Sequence, residues 1–173
     1  MPNFQPSTRD MISHISGGMR VETSTLANAT YLLGAANTQT ELFTIKGRIL
    51  VLQLYLELIT AASANATTIQ FNTTFTTPVI ALNAMGAASA AITSLGQGQR
   101  VVHVGGAVAT AAVLTDSAGL SDVTCVTPHI VGGHEFAGTI GILAAAASQA
   151  SGTFRGILHY LPYSDGAYAV AAL

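Results

Sequence analysis

The sequence predicts an all-β domain, an antiparallel β-sandwich or jelly roll over residues 41–173, preceded by an extended N-terminal arm over residues 1–40. Three observations carry this. Between residues 49 and 59, Leu50, Leu52, Leu54, Leu56 and Leu58 alternate with Ile49, Val51, Gln53, Tyr55, Glu57 and Ile59, the period of two that marks a strand with one face in a core. Segments rich in Val, Ile, Thr and aromatic residues recur along the chain. Turn signals separate them about every 8 to 14 residues, the spacing of a sandwich and not of βαβ units.

In order, the arm holds Pro2, Pro6, the Gly17-Gly18 pair and a run rich in Thr, Asn and Ala, with short strands expected near residues 19–26 and 31–33. "ELFTIKG" and "RILVLQLYLELIT" read as two strands meeting at Lys46-Gly47. A helix over the second would spread apolar side chains all round and leave Glu57 among them. "ATTIQFN" is a further strand, and "TPVIALNAMG" is one opened by Pro78. "AASAAITSLGQGQ" suits a short helix or a strand with a loop. "RVVHVGG" and "AVATAAVLTDSAG" form an expected hairpin across Gly105-Gly106, followed by the strand "DVTCVTPHIVGG". "FAGTIGILAAAA" and "TFRGILHYLPY" form a second expected hairpin, and "AYAVAA" is the last strand.

Charged residues are 8% of the chain, against about 25% in ordinary globular proteins, while half of it is hydrophobic. Such a chain stays dispersed by covering itself with Thr, Ser, Asn and Gln, or by burying much of its surface in an assembly. Both are expected here. The net charge of −2, the scattered six Lys and Arg and the absence of Trp argue against a nucleic-acid partner. The residues before Gly18 lack an apolar core with an early basic cluster, so no signal peptide is read there. "ILVLQLYLELITAA" and "TIGILAAAASQASG" fall short of a membrane-spanning helix, so no membrane partner is expected.

No catalytic set emerges from residue spacing, and the chain is read as a non-enzyme without cofactor or metal. His134-Glu135 begins like HExxH, but Gly138 stands where the second His is required. His14, His103, His129, His134 and His159 are read as ordinary polar or half-buried residues. Ser164, Asp165 and His159 lie too close in sequence to form a triad, and "YSDG" is a turn. "DSAGLSD", with Asp116 and Asp122, is read as a solvated turn and not a calcium loop. Cys125, the only cysteine, is read as a small buried hydrophobe.

Two segments, "TELFTIKGRILVLQLYLELIT" and "GTFRGILHYLPYSDGAYAVAAL", together resemble the first core strands and the closing strands of small virion structural proteins of tailed bacteriophages, and in outline the resemblance covers residues 40–173. It implies a jelly-roll protein that decorates or cements a capsid, often as a homotrimer, bridging major capsid subunits on a virion assembled in the host bacterial cytoplasm. It also implies that the arm lies along a neighbour, with Phe4, Met11, Ile12 and Ile15 as anchors. Tyr160, Tyr163, Tyr168, Val170 and Leu173 would then serve as an oligomer interface. The alternative is a head-fibre or tail-tip protein that binds a host receptor through loops such as "SLGQGQR" and "DSAGLSD".

Overall fold

The computed structural model describes residues 18–33, 39–105, 110–114 and 127–173. Among them two antiparallel sheets pack face to face. The seven-stranded sheet contains β1 (Met19–Glu22), β2 (Leu26–Ala27), β4 (Ile49–Thr60), β7 (Arg100–His103), β8 (Val113–Leu114), β9 (His129–Val131) and β11 (Thr153–Pro162). The five-stranded sheet runs in the order β12 (Tyr168–Ala171), β3 (Gln39–Lys46), β10 (Ala137–Ala145), β5 (Thr68–Thr77) and β6 (Val79–Ala84). One helical turn, α1 (Asn28–Tyr31), follows β2.

The strand pairs nest: β3 with β12, β4 with β11, β5 with β10, and β7 with β8 at the centre. Early strands therefore pair with their late counterparts, as in a long hairpin rolled into a jelly roll. Within that plan β3 and β4 lie in opposite sheets, and the chain changes sheet at Gly47 with φ +74, a conformation open to glycine.

The core lies between the sheets, around Phe43, Phe71, Phe154 and Tyr160 with Leu42, Ile45, Leu54, Leu56, Leu58, Ile140 and Ile142. Several sequence expectations change here. The leucine face of β4 is inward only from Leu54 onward. Before it, Ile49 and Val51 are buried while Leu50 and Leu52 are half-covered on the outer side. The cause is a bulge: Gln53 pairs with His159 and Val51 with Tyr160, so Leu52 has no opposite number and the alternation flips.

The expected hairpin of β10 and β11 does not form, because these strands belong to opposite sheets. Their inward faces, Ile140, Ile142 and Ala144 on one and Phe154, Leu158 and Tyr160 on the other, contribute to the same core. Residues 146–152 have length enough to cross the roughly 10 Å between packed sheets. β7 and β8 do pair antiparallel, but as Val101 with Leu114 and Val102 with Val113, a wider connection than a tight turn at Gly105-Gly106 would give.

Residues 18–33, assigned to the arm by sequence, join the body. β1 and β2 pair with β11, and Leu26 and Leu32 are buried. Residues 31–33 are not a strand; they end α1. Residues 88–99 are neither helix nor strand, and their Ile92 and Leu95 are buried in the core.

Tyr160 is a further correction. It is fully buried, so it cannot lie at an interface with another chain. Its hydroxyl accepts from the Ala169 N–H (3.0 Å) and donates to the Ala169 carbonyl (3.3 Å), tying β11 of one sheet to β12 of the other. Tyr160→Phe keeps the ring and removes both bonds, at an expected cost of about 1–2 kcal/mol. Chemical denaturation measures the loss, and hydrogen exchange should show it concentrated at Ala169.

Candidate assembly edges and a buried histidine pair

Among the described residues, β6 forms one edge of the five-stranded sheet and is hydrogen-bonded to β5 alone. Val79 is 88% exposed, Leu82 45% and Ile80 37%, so apolar side chains stand free on both faces of the strand. Exposed edges are normally blunted by Lys, Pro, inward charges or β-bulges. β6 carries no charge, and no charged residue lies between Glu57 and Arg100; the strand's guards are Pro78 just before it and a bulge that sets Ala81 and Leu82 opposite Thr74.

The other edge of the same sheet is β12. Tyr168 and Val170 lie outward beside Lys46 and Thr44 of β3, and Tyr163 and Leu173 are exposed nearby. Of the five residues expected at an interface, these four face solvent and Tyr160 does not. The segment after β12 is held by bonds from Ala172 N to the Leu42 carbonyl (2.9 Å) and from Ser24 N to the Leu173 carbonyl (3.1 Å). Phe4, Met11, Ile12 and Ile15 lie outside the described residues, as do Asp116, Asp122 and Cys125.

Much of the charge gathers on the seven-stranded sheet. Glu22 meets both Arg20 and Arg155, the latter at 3.0 Å. Glu57 meets Arg100 at 3.4 Å, and that guanidinium sits 5.0 Å from the centre of the Tyr55 ring. One sheet thus carries a charged surface while the other ends in apolar edges.

The other sequence candidates take structural places. Ser164 Oγ accepts from Arg48 N (3.0 Å) and so braces the turn before β12. His134 and Glu135 lie in a turn with side chains 79% and 88% exposed. In "SLGQGQR", Leu95 and Gln99 are buried and Gln99 Oε1 accepts from Gly96 N, which ties the loop down. No helix among the described residues is long and apolar enough to cross a membrane.

The fold does bring two histidines together. β7 and β9 both pair with β4, end to end along the same side, so His103 lies opposite Leu54 and His129 opposite Val51. Leu54 and Val51 flank the β4 bulge and both face inward, so both imidazoles do too. The ring centres are 5.0 Å apart at 74°, and Phe71 packs against His103 with centres 5.6 Å apart. Separations of 26 residues in sequence carry no hint of this, because β7 and β9 become neighbours only through a shared partner strand.

Burial pushes the His103 imidazole down to about 4, with His129 adding to the shift, and burial lowers His129 as well. The unfolded chain therefore holds more protons than the folded one between about pH 4 and 6.5. Stability from His103 is complete above that window and is lost as pH falls through it, by up to about 3 kcal/mol. Urea melts in metal-free buffer should show this slope, and His103→Phe should flatten it.

Comparisons with protein-family models, with curated proteins and with solved structures found no match.

Proposed function

We propose that this chain is a structural protein of a tailed-bacteriophage virion, a capsid decoration or cement protein that self-associates and bridges major capsid subunits. The observation that carries the reading is the exposed, uncharged apolar edge at β6, with the apolar residues at β12 on the opposite edge of the same sheet. A strand edge offers unpaired N–H and C=O groups, and side chains such as Val79 and Leu82 add about 25 cal/mol per Å² of apolar area removed from water. Opposite edges of one sheet suit a closed ring of copies, and a trimer is the smallest such ring beyond a pair.

Bridging on a shell needs no chemistry beyond burial and hydrogen bonding. A stable contact requires roughly 1,000 Å² or more in total, which the two edges and a docked arm together would supply. The arm anchors Phe4, Met11, Ile12 and Ile15 are assigned the contact with the major capsid protein, and Tyr163, Tyr168, Val170 and Leu173 the contact with a second copy.

The test is direct. Mass spectrometry of purified particles of the encoding phage should find this chain in stoichiometric amounts. Particles lacking it should break at a lower temperature, and the purified protein added back should restore them. A chain absent from particles would end this reading.

A further inference from the structure

We propose that His103 and His129 together bind one divalent d-block cation of the zinc, cobalt or copper type. This site is independent of the assembly reading.

Both Nε2 atoms are buried and have no hydrogen-bond partner. A buried polar atom without a partner is costly, and one such atom on each of two adjacent rings calls for a shared occupant. The spacing suits an ion. A nitrogen about 2.0–2.1 Å from a zinc-sized ion places each ring centre roughly 3.2 Å from it, and a tetrahedral angle then separates the two centres by about 5 Å. The observed separation is 5.0 Å.

The tautomer is set in the same sense. His129 Nδ1 lies 3.3 Å from the Thr127 carbonyl, which can only accept, so the ring proton sits on Nδ1 and the Nε2 lone pair is free.

Glycines pack closely around the pair: a Cβ on Gly105 would collide with the Thr127 carbonyl and come within 3.1 Å of His129 Nδ1, and one on Gly86 would collide with the Thr110 carbonyl. A cavity of about 200 Å³ reaches His129 from outside, and Asn83 and Met85 line it. Water entering by this cavity would complete the coordination.

Among the described residues no third His, Cys, Asp or Glu joins the pair. Two protein ligands make an exchangeable site of micromolar strength, not a locked structural one.

The experiment is a Zn²⁺ titration of the full-length protein by calorimetry, with the histidine side-chain nitrogens followed by NMR. One equivalent should bind, and the Nε2 resonances of His103 and His129 alone should shift. His103→Phe and His129→Phe should each weaken binding by about 100-fold or more, while His14→Ala, His134→Ala and His159→Ala leave it unchanged. Should a Phe variant fail to fold, the wild-type NMR shifts decide by themselves. No binding at millimolar Zn²⁺, shifts confined to other histidines, or undiminished binding in a folded His103→Phe protein would each overturn the proposal.

Discussion

Gln149→Leu is expected to destabilise the protein by about 3–4 kcal/mol, because it removes four hydrogen bonds made by one buried amide. Gln149 is 1% exposed although it sits in the crossing between β10 and β11. Its Oε1 accepts from Ser63 N (2.9 Å) and Ser63 Oγ (2.8 Å), and its Nε2 donates to the Asn65 carbonyl (2.6 Å) and Thr67 Oγ1 (3.1 Å). Its own N–H donates to the Leu32 carbonyl. One side chain therefore clamps the β10–β11 crossing to the β4–β5 crossing, two of the places where the chain passes between sheets.

Leucine matches the volume but leaves the Ser63 N–H without its acceptor and takes one of two donors from the Asn65 carbonyl, which keeps the Thr67 N–H. For a chain of this size the melting temperature should fall by roughly 10 °C or more. Gln53→Leu on exposed β4 surface is the control and should change little. Equal melting of the two variants would show that the clamp carries no weight.

The second large effect concerns the β6 edge. Val79→Lys with Leu82→Lys should leave the fold intact, since both side chains are exposed within the chain, yet should dissociate the oligomer. Burying each of these side chains at an interface contributes about 1.5–3 kcal/mol, so the pair of charges should raise the dissociation constant by at least about 100-fold. Sedimentation of both proteins at matched concentration reads this, with circular dichroism as the check on folding. Unchanged association would move the interface off β6.

Strand character was legible in the sequence wherever period-two patterning ran long, as in β4, β5, β10 and β11. The register was not. The flip at Leu52 depends on which residue of β11 faces it, a long-range fact that alternation alone does not hold. The same limit explains β10 and β11: a polar turn between two apolar strands suits a hairpin and a sheet-to-sheet crossing equally, and only the shared core decides between them.

Tyr160 was misplaced for a related reason. Tyrosine is amphipathic and suits interfaces, but here its hydroxyl finds partners inside, on Ala169. The β6 edge does leave a signal in the sequence: "VIAL" directly after Pro78, within the long uncharged stretch from residue 58 to 99, suits an apolar edge strand.

The central claim is that this protein works by assembling through apolar sheet edges, and native mass spectrometry of the full-length chain at micromolar concentration tests it most directly. A homotrimer is the predicted result, and it should fall apart in the lysine double variant. A stable monomer across that concentration range would contradict the account, leaving Val79, Leu82, Tyr168 and Val170 exposed without a partner copy.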